Sequence, residues 1–305
     1  MTANPTPTCC SAEQHVVNTS CCADFYSTDV VRTLLGDTFH PGGKDLSARL
    51  VGSLELDAGS HVLDIACGLG TTAMSIAAEI GATVVGIDAS ERNIATANDE
   101  ATARGLNDRV RFAMEDAAAL PFEDAAFDAV ICECAVSTFA DKAPVVAEMV
   151  RVLKPGGVLG ISDMALAGPL PQDVAAVVAP WTCLADARSV AGYQRLFLDA
   201  GLTVVAWDDE REALVQLAVE LKRKLVLAGL GRLSGMMAEL PGDIGVLRAL
   251  LDKGRALIAD GTVSYMRLVA LKGARRSASN TTIEAEVARK EVAATAGCDP
   301  TKGCC

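Results

Sequence analysis

The chain has 305 residues, half of them hydrophobic, and its 27 Lys and Arg against 39 Asp and Glu give a net charge of −12 at pH 7. A charge of that sign repels phosphate backbones, so we expect no nucleic-acid partner. No uncharged apolar run reaches the roughly 18–20 residues of a membrane-spanning helix, and the first residues lack the pattern of a secretory signal. These features predict a cytoplasmic protein with no membrane partner.

The N-terminal segment 1–24 combines proline, threonine and paired cysteines, including Cys21 and Cys22, without a periodic apolar pattern. We predict a flexible arm there. Apolar residues at helical spacing predict a first helix from residue 29 and a second over 46–54.

Between residues 61 and 163, β-rich runs alternate with helical patterns. The predicted strands are 61–65, 83–87, 110–113, 129–132 and 158–162, and the predicted helices are 71–80, 93–104 and 143–152. This alternation is typical of βαβ units, which form a parallel sheet with ligand sites at the carboxyl ends of its strands.

After residue 163 the pattern changes, and a proline-containing segment up to residue 190 predicts a lid. The remaining predicted elements are helix 190–200, strand 203–207, helices 210–230 and 243–258, and a last strand 263–271. The fold class is therefore α/β: a doubly wound, mostly parallel seven-stranded sheet with an N-terminal helical arm and a helical insertion before the last strand. The predicted domains are an arm (1–24), a core (25–165), a lid with the helical insertion and final strands (166–272), and a cysteine-ended tail (273–305).

The strongest local motif is the run Val-Leu-Asp-Ile-Ala-Cys-Gly-Leu-Gly at 62–70, between a predicted strand and a predicted helix. Gly68 and Gly70 permit a tight turn and the close approach of a ligand to the backbone. The run lacks the first glycine of the dinucleotide-binding fingerprint. Because Asp64 would repel a pyrophosphate, the turn favours a cationic or zwitterionic ligand.

Acidic residues also follow the next two strands. Asp88 comes eighteen residues after Gly70 (88 − 70 = 18), Asp116 follows the third strand, and a Leu-Lys-Pro-Gly-Gly turn at 153–157 precedes the fifth. One such acid is more typical of a helix cap or a solvated turn, whereas the ordered set indicates a binding site.

Over residues 62–163, this ordered set resembles the class I S-adenosylmethionine-dependent methyltransferases. The resemblance implies these contacts with S-adenosylmethionine: Asp64 with the methionine ammonium, Gly68 and Gly70 with the methionine and ribose, Asp88 with the ribose, and Asp116 with the adenine. It also implies that Ala89, Ala117 and Glu133 belong to the same cofactor site. The run Ile-Cys-Glu-Cys at 131–134 differs from the Asn/Asp-Pro-Pro-Tyr loop of methyltransferases that act on base amino groups, which again argues against nucleic acid.

A narrower resemblance concerns the acceptor. Cys134 and Cys183 lie in runs similar to the substrate-cysteine regions of arsenite methyltransferases, and thiolates bind soft centres such as trivalent arsenic. The resemblance implies that these two cysteines hold arsenite and that Cys21 or Cys22 completes the site. It further implies a thiol reductant, thioredoxin or glutathione, as electron source in arsenic detoxification.

The chain also departs from that family. Ala73 stands where the family often has a further cysteine, and the N-terminal cysteines precede Phe25 and Tyr26 instead of following them. We interpret Cys67 and Cys132 as core residues, because free cysteine is among the most buried residue types.

Two alternatives stay open. The first is a small-molecule O- or C-methyltransferase acting on an apolar metabolite, with His40 or Glu133 as general base and the helices after residue 209 roofing the pocket. The second is a non-catalytic, thiol-rich arsenic- or metal-binding protein, against which the intact glycine turn counts.

Overall fold

The computed structural model describes residues 38–178, 184, 186–227 and 244–273. The predicted arm, the predicted helix from residue 29, the tail beyond residue 273, and Cys21, Cys22 and Cys183 lie outside the described residues. Among the helices that are described, none is both long enough and apolar enough to cross a lipid bilayer.

The described elements follow the predicted alternation of strands and helices. The strands are β1 His61–Ile65, β2 Thr83–Asp88, β3 Val110–Met114, β4 Phe127–Glu133, β5 Leu153–Leu166, β6 Leu202–Asp209 and β7 Val263–Lys272. The helices are α1 Gly43–Gly52, α2 Thr71–Glu79, α3 Glu91–Ala103, α4 Lys142–Val152, α5 Gln172–Val178, α6 Val190–Asp199, α7 Arg211–Leu227 and α8 Ile244–Ala259, with a 3₁₀ turn at Val136–Thr138.

The strands form one seven-stranded sheet in the order β3-β2-β1-β4-β5-β7-β6. The pairs β1–β2, β1–β4, β2–β3 and β4–β5 are parallel, whereas β7 runs antiparallel to both β5 and β6. The predicted fold class, a mostly parallel, doubly wound sheet with a helical insertion before the last strand, is confirmed. From β1 the chain first adds β2 and β3 on one side of β1 and then adds β4 on the other side. A ligand crevice is expected at this reversal, at the carboxyl ends of β1 and β4.

Short polar side chains fix where several helices begin. The hydroxyl of Ser90 accepts a hydrogen bond from the backbone N–H of Asn93 at the start of α3, and the carboxylate of Asp141 accepts one from Ala143 at the start of α4. Such caps satisfy amide groups that the first helical turn leaves without partners.

The Leu-Lys-Pro-Gly-Gly segment differs from its prediction as a turn before the fifth strand. β5 begins at Leu153, and the pairing with β4 jumps from Phe127↔Leu153 to Ala129↔Val158, so residues 154–157 bulge opposite Asp128 alone. Lys154 Nζ donates to Asp128 Oδ1 at 2.7 Å across this bulge. Turn-forming residues inside a strand are accommodated in this way because a bulge absorbs extra residues without ending the pairing.

Gly70 illustrates how tightly the glycine turn packs on the sheet. Its φ is +70°, and a Cβ at this position would lie 2.2 Å from Cζ of Phe112 on β3. We expect Gly70→Ala to lower the free energy of unfolding by about 2–4 kcal/mol, from the left-handed backbone and the overpacking together.

Gly105→Ala is the matched control, because Gly105 has a φ of +66° but no atom within 4 Å of the added Cβ. Chemical denaturation of both variants separates the two contributions. Equal losses in the two variants would show that Phe112 gives way without cost.

Candidate functional site

A cavity of about 640 Å³ lies at the carboxyl ends of β1, β2 and β4. Most of the predicted site residues line it together: Asp64, Gly68, Asp88, Ala89, Asp116, Ala117, Glu133 and Cys134. The strand register explains why these residues lie together. Ile65 of β1 pairs with both Ile87 of β2 and Cys132 of β4. Asp88 and Glu133 are the next residues, so they lie at the same level on either side of β1. The volume lies in the range of small-molecule and cofactor sites.

Asp64 supplies a buried carboxylate near the end of β1. Its residue is 3% exposed, and its Oδ2 has no hydrogen-bond partner among the described residues. Burial raises the pKa of this carboxyl well above its usual value, and the charges of Glu133 and Asp88 raise it further. An acceptor oxygen buried without a donor is costly unless a ligand supplies one, so this oxygen fits a cationic ligand group such as an ammonium.

The glycine turn and Asp88 are tied together. Gly68, with a φ of +54°, donates its N–H to Asp88 Oδ2 at 2.9 Å. Asp88 Oδ1 accepts from Ser90 N at 2.9 Å and from Asn93 Nδ2 at 3.2 Å. This carboxylate is therefore held in one orientation at the cavity wall. Gly70 is not among the cavity-lining residues and lies behind the turn, against β3.

Asp116 lies on the segment after β3. Its Oδ1 accepts from the N–H of Ala118 at 2.9 Å, while Ala117 beside it is buried against the core. Met114, which sequence analysis did not single out, lines the same part of the cavity and is 57% exposed. Met114 therefore adds an apolar surface to this part of the cavity lining.

Glu133 is the centre of a polar network that includes residues of α1, α2, β5 and the loop before α1. Its carboxylate accepts from Ser47 Oγ of α1 at 3.0 and 3.1 Å and from Thr72 Oγ1 of α2 at 2.8 Å. Ser162 Oγ of β5 lies 3.5 Å from Glu133 Oε2. His40 Nε2 lies 3.6 Å from Glu133 Oε2 and 3.2 Å from Ser47 Oγ. His40 and Glu133 were predicted from the sequence as candidate bases, whereas Ser47, Thr72 and Ser162 were not predicted as site residues.

Cys134 follows Glu133 directly and has a φ of +54°, an uncommon conformation for a residue with a Cβ. Its N–H donates to Ser162 O at 2.6 Å, and it packs against an apolar cluster that includes Leu46, Met164 and Tyr265. Ala66 and Phe39, with φ values of +57° and +56°, also line the cavity. Strained residues of this kind concentrate at functional sites.

The other described cysteines behave as sequence analysis expected of core residues. Cys132 is fully buried, and Cys67 packs against the apolar cluster around α2 and β2, although it also borders the cavity. Burial raises the pKa of both thiols well above the usual value. Within the described part of the chain, no group of three or more His, Cys, Asp or Glu residues is placed to hold a metal ion.

A second buried polar cluster holds the cavity wall formed by the 3₁₀ turn. Asp163, fully buried, accepts from Ser137 N at 2.9 Å, Ser137 Oγ at 2.6 Å and Met164 N at 2.7 Å, while burial raises its pKa to about 6. Lys142 Nζ donates to Phe139 O at 2.8 Å and pairs with Asp186. These contacts explain why a connecting segment can serve as a fixed wall.

The charge of the cavity is one-sided. Among the described lining residues there is no Lys or Arg. The lining carries six carboxylates, those of Asp64, Asp88, Glu115, Asp116, Glu133 and Asp141. The part of the wall that follows Glu133 is largely apolar and includes Ala135, Phe139 and Val145. Such a lining disfavours anionic ligands and accommodates cationic or neutral ones. The lining includes no residue of α7 or α8, which pack instead against each other and on β7.

Comparisons with known proteins agree with this geometry. The methyltransferase-domain family model matches residues 56–216. Methyltransferase GfsG of Streptomyces halstedii is 33% identical over 208 residues, which are 62% of this chain and 75% of that protein. The 27-O-demethylrifamycin SV methyltransferase of Amycolatopsis mediterranei is 37% identical over 150 residues, 45% of this chain and 55% of that protein.

The fold also matches solved structures. Phosphoethanolamine N-methyltransferase 2 of Haemonchus contortus, in complex with S-adenosyl-L-methionine, superposes with a TM-score of 0.70 at 20% identity, over 85% of this chain and 61% of that one. At this identity the likeness concerns the fold alone.

Proposed function

The chain belongs to the class I S-adenosylmethionine-dependent methyltransferases, and we propose that it methylates a hydroxyl oxygen of an uncharged small organic molecule. S-adenosylmethionine, when bound, supplies an electrophilic methyl group. Asp64 would hold its ammonium with the partnerless Oδ2, Asp88 its ribose, and the Asp116–Met114 wall its adenine. These contacts use the cavity residues that the family resemblance implies.

The observation that carries the acceptor proposal is the position of Glu133. It stands between the Asp64 end of the cavity and the apolar wall that begins at Cys134, and its side chain is 8% exposed. A hydroxyl oxygen must lose its proton as it gains a methyl group, and a carboxylate oriented by fixed donors can accept that proton. Ser47 and Thr72 provide this orientation.

The charge of the lining supports an uncharged acceptor. A phosphorylated acceptor, as in the name of the structurally similar phosphoethanolamine enzyme, would meet carboxylates with no described Lys or Arg in the lining to pair with it. The name of the rifamycin relative, in contrast, states methylation at an oxygen of an organic molecule.

The arsenite hypothesis has weaker support. It needs at least two thiolates, and Cys183 lies outside the described residues, while burial beside Asp64 and Asp88 disfavours a thiolate at Cys67. Methylation of a hydroxyl group is also redox-neutral, so neither thioredoxin nor glutathione has a role in the proposed reaction.

An acceptor panel tests the proposal. The purified protein is given S-adenosylmethionine with a labelled methyl group and one of three acceptors: a hydroxylated polyketide or phenol, its phosphate ester, or arsenite with a thiol reductant. We expect a methyl ether from the hydroxylated acceptor, little product from its phosphate ester, and similar kcat in Cys134→Ser, since Ser keeps the size of the side chain. Methylated arsenic as the main product, lost in Cys134→Ser, would instead establish the arsenite function.

A further inference from the structure

We propose that Ser47 relays the proton taken up by Glu133 onward to His40, so that Glu133 is again a carboxylate when the methylated product leaves. The inference rests on the proposed function, because it assumes that Glu133 deprotonates a hydroxyl acceptor. It assigns distinct roles to two of the three hydroxyl groups that contact this carboxylate, those of Ser47 and Thr72.

The distances favour a relay over direct transfer. His40 Nε2 lies 3.6 Å from Glu133 Oε2, which is beyond hydrogen-bond distance. Ser47 Oγ lies within 3.0–3.1 Å of both Glu133 oxygens and 3.2 Å from His40 Nε2, and so bridges the two groups. Thr72 Oγ1 donates to Glu133 and to Ser47, and none of the described hydrogen bonds joins Thr72 to His40.

The opposite side of the imidazole fixes which nitrogen can change its state. His40 Nδ1 lies 3.0 Å from the carbonyl oxygen of Pro41, which can only accept a hydrogen bond, so Nδ1 carries a proton. In the neutral ring, Nε2 is then the acceptor and faces the Ser47 hydroxyl. His40 is 6% exposed, and the small part that is exposed lines the cavity, so the ring meets water only there.

The proposed step needs no oxidant or reductant, and each electron pair and the released proton have a defined destination. The electron pair of the acceptor O–H bond forms the new O–C bond, and that of the broken S–C bond remains on sulfur. The released proton passes to Glu133, then from Glu133 to Ser47 Oγ, while Ser47 passes its own proton to His40 Nε2. The result is an imidazolium next to a carboxylate, which is a favourable pair. After the product leaves, the imidazolium gives its proton to water in the cavity that His40 lines, and the neutral ring is restored for the next turnover.

The charged surroundings of the pair are few. Glu133 faces His40 from β4, and Ser47 faces it from α1. The charge of Glu133 is also coupled to that of Asp64 of β1. In the proposed complex the charge of Asp64 is neutralised by the ammonium. Glu133 is thus the carboxylate that stabilises the imidazolium.

Ser47→Ala and its matched control Thr72→Val test the relay, because each removes one hydroxyl from Glu133 and only the first breaks the path to His40. We expect both variants to slow the first turnover by a similar factor, because each removes one donor that orients Glu133. Only Ser47→Ala should then show a burst, followed by a roughly tenfold slower steady state with unchanged KM for the acceptor. That loss is part of the contribution of general acid–base catalysis. Thr72→Val should slow both phases equally, without a burst.

A second measurement needs no turnover. The chain has three histidines, so the ¹⁵N resonances of the His40 ring can be assigned in the substrate-free protein. Ser47→Ala should shift the Nε2 resonance by removing the hydroxyl group that lies 3.2 Å from this nitrogen, and Thr72→Val should leave the resonance in place. An unshifted Nε2 resonance, or an active Ser47→Ala variant without a burst, overturns the relay alone. A wild-type protein that methylates no hydroxyl acceptor overturns the proposed function and the relay with it.

Discussion

Replacing Glu133 with Gln is expected to lower kcat by about 10²–10⁴-fold, the usual contribution of a general base, while the affinity for S-adenosylmethionine changes little. Gln has the same shape, and its amide oxygen can still accept hydrogen bonds from Ser47 and Thr72. It cannot take up the proton of the acceptor hydroxyl. The loss should therefore fall on kcat, measured in steady state, and not on the Kd of the cofactor, measured by calorimetry.

Glu115→Gln is the control for charge, because it removes one lining carboxylate that is not part of the Glu133 network. We expect it to retain most of the wild-type kcat. If Glu133→Gln instead weakened cofactor binding and left kcat intact, Glu133 would be a cofactor ligand, as the family resemblance implied, and the acceptor would be deprotonated elsewhere.

The cofactor half of the site could be predicted because its signals are local. The glycine turn, the acid that precedes it and the acid after the next strand fall within 25 residues, from Asp64 to Asp88. Parallel pairing then brings the ends of neighbouring strands to one edge whatever the details of packing. The sequence therefore determines the positions of Asp64, Gly68 and Asp88 almost without tertiary information.

The acceptor half could not be predicted in the same way. Ser47 and Glu133 are 86 positions apart, and Thr72 and Glu133 are 61 apart. A serine in a short helix gives no sign of whether it faces solvent or a buried carboxylate, and only the packing of α1 on α2 and β5 decides this. His40 was predicted as a candidate base from its position near a turn, but its pairing with Glu133 depends on the same packing.

The cysteines show the opposite case, in which a conspicuous sequence feature has little support in the described site. Eleven cysteines and their clustering favoured an arsenic acceptor. Cys132 and Cys67, however, take up core positions, and burial opposes formation of their thiolates. The chemistry of a cysteine depends on its surroundings, which a count of residues does not reveal.

Asp64→Asn is expected to stabilise the protein without its cofactor at neutral pH. Burial raises the pKa of Asp64 in the folded state, with Glu133 and Asp88 adding to the shift, so its ionisation opposes folding. A group with a raised folded pKa contributes stability that is fully present below the unfolded value and is lost as pH rises through the folded value. The gain in Asp64→Asn should therefore be largest above the raised pKa and should vanish in acid, as thermal unfolding across pH can establish.

The same substitution should weaken binding of S-adenosylmethionine by at least about tenfold, because a charged hydrogen bond to the ammonium contributes about 1.5–3 kcal/mol. Asp88→Asn is the matched control for the effect on stability. Asp88 already accepts three hydrogen bonds, so the amide NH2 of Asn would face bound donors and should destabilise the protein.

In the wild type, binding of S-adenosylmethionine requires ionised Asp64, so the affinity should fall as pH is lowered through the raised pKa. The accompanying proton release should be visible by calorimetry in two buffers. An Asp64→Asn variant that loses stability at neutral pH would mean that Oδ2 has a partner in the folded chain, and the ammonium contact would then lose its main support. A stabilised variant with lost affinity would mean that the buried carboxylate is retained for binding, at a cost to the stability of the fold.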